Sequence, residues 1–103
     1  MNTNNKKNIV IKIGTTSIIK NDKVDIPLLK SLAEWIIENK NQFNFVIVTS
    51  GAVGLGATKL NYKSRPKSLK RLQVASAVGQ IELINQYEKI FKDKKMNIAQ
   101  VLI

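Results

Sequence analysis

The sequence contains neither cysteine nor histidine. The first absence excludes disulfides and thiolate nucleophiles and fits a reducing compartment. The second removes the commonest general base and metal ligand. Aromatic residues make up 6% of the chain and do not interleave with the basic ones, and arginine occurs only at Arg65 and Arg71. Nucleic-acid surfaces lean on arginine and on stacking aromatics, so no nucleic-acid partner is expected despite a net charge of +10. That charge is carried by lysine, which is abundant together with asparagine and isoleucine, as an AT-rich genome would produce. Residues 1–8 are polar and lack the apolar core of a signal peptide, and no apolar run approaches the ~20 residues that cross a bilayer. A cytoplasmic protein with no membrane partner is the expectation.

What is present is globular in composition: 103 residues, 44% hydrophobic and 23% charged. That length fits one small domain or a piece of a larger one. After the polar lead of residues 1–8, residues 8–13 form a β-branched run that suits a buried parallel strand. Gly14, Thr15, Thr16 and Ser17 read as a turn, and residues 18–24 are ambiguous apart from the turn signal Asn21-Asp22. Asp25 followed by Pro27 marks a helix start, and Leu28, Leu29, Leu32, Ala33, Ile36 and Ile37 then make one apolar stripe. A second strand is expected over 45–49, a helix over Ala52–Lys59, and a loop over 61–67. Ser68 can cap a long helix running to about Asp93, and residues 98–103 read as a third strand. This alternation predicts an α/β protein with a mainly parallel sheet. An apolar strand at the very end leaves an edge without cover, so the chain reads as a fragment in which residues 9–103 are part of a domain truncated at its C-terminal side.

Ligands of open parallel sheets bind beyond the carboxyl ends of the strands. Two loops qualify. In the first, Lys12 precedes the strand end, and Gly14 and Thr15 follow it. Glycine lets backbone N–H groups approach an anion, hydroxyls add donors, and lysine supplies a point charge. The pattern is neither a Walker A loop nor a dinucleotide fingerprint. Spacing alone leaves two readings open, a phosphate site or an ordinary strand end with a solvated lysine. A lysine between Ile11 and Ile13, in a strand covered on both faces, needs an anionic partner or an escape to water. In the second loop, Ser50 and Gly51 precede Ala52 at a strand-to-helix boundary, where unpaired N–H groups and the helix dipole hold carboxylates or phosphates. Ser50 can equally serve as a simple cap. Gly51, Gly54 and Gly56 crowd the next turn at a cost of ~1 kcal/mol per helical glycine, which suggests close approach of something to that backbone. Gly79, inside the long helix, reads first as tight packing against the sheet. Glu34, Glu38, Glu82 and Glu88 fall on helices as solvated carboxylates, and no acidic pair marks a metal site.

Three segments carry a resemblance: residues 9–17 (Ile-Val-Ile-Lys-Ile-Gly-Thr-Thr-Ser), 46–56 (Val-Ile-Val-Thr-Ser-Gly-Ala-Val-Gly-Leu-Gly) and 70–80 (Lys-Arg-Leu-Gln-Val-Ala-Ser-Ala-Val-Gly-Gln). In order and spacing they resemble the glutamate 5-kinases of the amino acid kinase superfamily, and residues 87–91 and 99–103 continue the likeness. The Lys-x-Gly-Thr strand end is shared across the superfamily. The Val-Thr-Ser-Gly-Ala loop is more specific, since acetylglutamate and uridylate kinases usually carry glycine triplets there. The resemblance implies a three-layer αβα fold and ATP-dependent phosphorylation of the L-glutamate side-chain carboxylate, the first step of proline synthesis. It implies that Lys12 contacts the transferring phosphoryl group of ATP, that Gly14 and Thr15 line the phosphate path, and that Ser50, Gly51 and Ala52 form part of the glutamate pocket. It further implies Mg²⁺ accompanying ATP with no ligand in this segment, a homo-oligomer at full length, and coupling to glutamyl phosphate reductase. In that family other parts of the active site lie beyond residue 103, so the segment alone is expected to be inactive. Other readings are a kinase of the same superfamily with another acceptor, a non-catalytic interaction module, and a basic nucleic-acid-binding domain.

Overall fold

The computed structural model describes residues 6–50 and 52–100. Strand β1 (Lys7–Ile13) pairs in parallel with β4 (Phe43–Thr49), in register from Lys7 opposite Phe43 to Ile13 opposite Thr49. Regular structure therefore begins at Lys7, inside the expected polar lead. Between them run α1 (Thr15–Ile18), the short strands β2 (Ile19–Lys20) and β3 (Lys23–Val24), and α2 (Ile26–Asn39). Helices α3 (Ala52–Lys59) and α4 (Leu69–Asp93) follow. The fold is mixed α/β with a parallel sheet, as expected.

The ambiguous stretch before α2 is a tight antiparallel hairpin, β2 with β3, closed by Asn21 (φ 52°) and Asp22 (φ 62°). Asn and Asp tolerate this left-handed backbone better than other side chains, which is why a two-residue turn forms without glycine. The Asp25 carboxylate caps α2 by accepting from the Leu28 N–H at 3.2 Å, with Pro27 in the first turn. The α2 stripe buries Leu29, Ala33 and Ile36. Its Trp35, the sole tryptophan, stands edge-on to Phe45 of β4 at 5.4 Å between ring centroids.

Helices α2 and α4 cover one face of the sheet. Ile13 belongs to the same core as Leu29, Ile36, Leu83, Tyr87 and Phe91, and Ile11, Phe45 and Ile47 pack against it. The other face is open: Val10, Val46 and Val48 remain 65%, 52% and 49% exposed. The described residues thus supply one helix layer on the sheet, and the second layer of an αβα sandwich is not among them. Residues 98–100 form no strand, and 101–103 lie outside the described residues. A strand is defined by its ladder, and the outer edge of β4 has no strand partner among the described residues.

Helices α3 and α4 run antiparallel in very close contact. A Cβ on Gly56 would overlap the Ala75 carbonyl, and one on Gly79 would overlap the Ala52 carbonyl and stand 2.6 Å from the Gly56 nitrogen. Gly79 is indeed a packing glycine, but its partner is α3 and not the sheet. What passes close to the Gly56 backbone is helix α4. Gly54, by contrast, has nothing within 4 Å of where its Cβ would be. Lys59 of α3 pairs with Glu82 of α4 at 3.3 Å, and Gln86 donates to the same carboxylate at 3.2 Å.

Three consequences are measurable by chemical denaturation. Gly79→Ala gains ~1 kcal/mol of helix propensity but meets backbone, not a flexible side chain, so an overpacking cost of ~1–3 kcal/mol dominates and stability falls. Gly54→Ala meets no obstacle and raises stability by up to ~1 kcal/mol. The bonds from Gln86 and then Lys59 hold the Glu82 carboxyl below its ordinary value against a smaller desolvation effect. A depressed carboxylate stabilises the fold above its unfolded value and loses that contribution as pH falls through the folded one. Glu82→Gln therefore makes stability less acid-sensitive below about pH 4.5.

Candidate functional site at the strand ends

Parallel pairing brings the carboxyl ends of β1 and β4 side by side, so the chain leaves both strands at one edge. The Ser50 N–H donates to the Ile13 carbonyl at 3.2 Å, which extends the ladder by one bond. The Ser50 hydroxyl reaches the same carbonyl at 3.4 Å, and Thr15 Oγ1 donates to Ser50 Oγ at 3.1 Å. Thr49 Oγ1 donates to the Ser50 carbonyl at 3.4 Å. Two loops separated by more than thirty positions thus meet through exposed hydroxyls.

Gly14 caps α1, with Ser17 and Ile18 N–H groups donating to its carbonyl at 3.1 and 3.2 Å. Its φ of −78° and ψ of 165° are ordinary extended backbone, and a Cβ there would meet nothing within 4 Å. Neither backbone strain nor internal crowding calls for glycine at this position. The missing side chain leaves room on the outside of the loop, where a ligand can approach the main chain.

Lys12 stands on the open face of the sheet, beside Val48 and opposite in direction to Ile11 and Ile13. It is exposed and has no ion-pair partner among the described residues. Among the described residues nothing covers this face of the strand, and there the lysine reaches water without an anionic partner. Ala52 is buried at the start of α3 with its carbonyl against α4, so it can offer a ligand little beyond backbone. Gly51 lies outside the described residues. Among the described residues no three His, Cys, Asp or Glu side chains gather as a metal site.

Tyr87 is a neighbour that the sequence did not single out. It is 4% exposed, and its hydroxyl has no hydrogen-bond partner among the described residues. Burial pushes its pKa up. Thr49 approaches closely enough to oppose that shift but does not complete a bond of good geometry. Tyr87 sits in the α4 stripe at apolar spacing, so nothing in the pattern distinguishes its hydroxyl from core.

The amino acid kinase family model matches residues 7–103. The chain belongs to the amino acid kinase family. Among curated relatives it is 45% identical to a glutamate 5-kinase of Prochlorococcus marinus strain MED4, over 94% of this chain and 28% of that protein. It is 39% identical to one from Enterococcus faecalis and 36% identical to one from Clostridium tetani, over 94% of this chain and 36% and 37% of theirs. The chain spans roughly a third of the length of the curated relatives it matches.

The buried Tyr87 hydroxyl gives a direct test. An unpaired buried donor costs about 1–3 kcal/mol, so Tyr87→Phe raises the denaturation midpoint. A fall in stability would mean that the hydroxyl has a partner. The folded-state pKa of Tyr87 lies above the unfolded one near 10. Its contribution is therefore constant below that value and is lost as pH rises through the folded one, and the phenylalanine variant lacks this alkaline loss.

Proposed function

We propose that this segment supplies the phosphate-facing part of an ATP-dependent glutamate 5-kinase. The observation that carries the reading is the Thr15–Ser50 contact, which joins the two expected ligand loops at one edge of a parallel sheet, where ligands of such sheets bind. The relatives that this chain resembles are glutamate 5-kinases, which supports glutamate as the acceptor.

The chemistry asks little of the protein beyond placement. A glutamate side-chain carboxylate is already ionised at pH 7, so no general base is needed and the lack of histidine is no obstacle. One carboxylate oxygen forms a bond to the terminal phosphorus of ATP while the bond to the bridging oxygen of ADP breaks, leaving an acyl phosphate and ADP. Catalysis of such a transfer is mainly positioning and stabilisation of charge on the equatorial oxygens. Lys12, on the open face beside the loop, is assigned to that charge. Gly14 and Thr15 line the phosphate path with backbone N–H and hydroxyl donors. Ser50, with Gly51 and Ala52, is assigned to the glutamate carboxyl side. None of these residues is a carboxylate, so they do not hold Mg²⁺ themselves, and the ion enters as the companion of the ATP phosphates. The same resemblance extends the reading to the first step of proline synthesis, a cytoplasmic homo-oligomer, and a glutamyl phosphate reductase that consumes the product.

The test uses the protein at its full natural length. ADP release in the presence of ATP is expected to depend on L-glutamate, with the acyl phosphate trapped by hydroxylamine. Lys12→Ala is expected to lower kcat at least ~100-fold, in the range for loss of one transition-state charge contact. Ser50→Ala is expected to raise KM for glutamate about tenfold, the worth of one hydrogen bond of ~1.4 kcal/mol. Folded protein that turns over ATP equally well without glutamate, or that prefers another acceptor, would sink the assignment.

A further inference from the structure

We propose that the loop between α3 and α4 forms a second anion site, for a small ligand bearing a phosphate or pyrophosphate group. Tyr62, Lys63, Arg65, Lys67, Ser68 and Arg71 border a cavity of about 520 Å³. Both arginines of the chain stand on it, in a protein whose other basic residues are all lysines. Lysine abundance follows from composition, whereas arginine is the side chain whose planar fork meets two oxygens of one anion. Placing both at a single concavity is not explained by the composition.

The charge there is uncompensated. No acidic residue occurs anywhere from Asn39 to Ile81. The ion pairs among the described residues use Lys20, Lys59 and Lys94, and none uses a cation of this loop. Like charges around one depression repel one another unless an anion sits between them. Arg71 is also held in place, its guanidinium 5.6 Å from the centroid of the Tyr62 ring. The loop opens onto the start of α4, whose first turn carries no acidic side chain, and the positive end of that helix adds to the field.

The size and lining favour a small ligand over a nucleic acid. Tyr62 is the sole aromatic residue at the cavity, and its face is already taken by Arg71, so no platform is left on which bases can stack. The site is separate from the strand-end loops. Ala52 faces Gly79 and Gly56 faces Ala75, so the loop leaves the far end of α3 from Ser50, about 12 Å away along the helix axis at 1.5 Å per residue.

The experiment is calorimetric titration of the full-length protein with inorganic pyrophosphate, in a Lys12→Ala background that removes the strand-end phosphate contact. Saturable binding is expected. It should weaken at least tenfold in Arg65→Gln/Arg71→Gln, and also in Arg65→Gln/Lys67→Gln, which leaves the Arg71–Tyr62 contact intact and guards against a folding defect. Far-UV circular dichroism checks that each variant remains folded. Pyrophosphate affinity that is unchanged in a folded double variant would overturn the proposal. So would complete loss of saturable binding at physiological sodium chloride, which means charge screening only, or tighter binding of a single-stranded oligonucleotide than of pyrophosphate.

Discussion

Parallel pairing of β1 with β4 sends two chain reversals to the same edge of the sheet, and the arrangement of every candidate group follows from it. Had the strands run antiparallel, the loops after Ile13 and Thr49 would lie at opposite ends, and Thr15 could not reach Ser50. Because the partner strands are parallel, a long crossover must separate them, and α1, the β2–β3 hairpin and α2 are that crossover. The ladder bond from Ser50 to the Ile13 carbonyl then fixes the second loop against the first. Hydroxyl placement at this edge is a product of backbone geometry more than of the side chains themselves.

A second constraint is the glycine-mediated approach of α3 to α4. It brings two helix backbones to a separation that no side chain permits, and so sets where α3 can point as it leaves Ser50. The same contact determines that the basic loop emerges at the far end of α3. Local glycine placement, which weakens a helix taken alone, is here what positions both ends of the segment. The Lys59–Glu82 pair holds the two helices together from the exposed side.

Much of this was legible in the residues. The caps Asp25 and Ser68, the α2 stripe and both β-branched strands follow local rules of hydrogen bonding and periodicity, and each reappears in the fold. The lysine-glycine-threonine and serine loops stand out by residue type, and the fold brings the two together through Thr15 and Ser50. What was not legible depends on tertiary context. Gly79 announced close packing but not its partner, because a glycine carries no record of what approaches it. Whether Lys12 meets water or an anion depends on what covers its strand, and among the described residues the helices lie on the face away from it. Tyr87 was hidden in an apolar stripe. Residues 98–100 have strand-like composition without a ladder to join, and composition cannot supply a neighbour.

The edge-on contact between Trp35 and Phe45 carries a spectroscopic consequence. One indole in the whole chain means that intrinsic fluorescence excited at the tryptophan band comes from a single point. That point is where α2 rests on β4, with the residue still 44% exposed. Emission therefore reports the undocking of α2 from the sheet and is silent about the α3–α4 pair. Comparing it with circular dichroism, to which the long α4 contributes heavily, would reveal whether the two halves of this segment come apart together or in sequence.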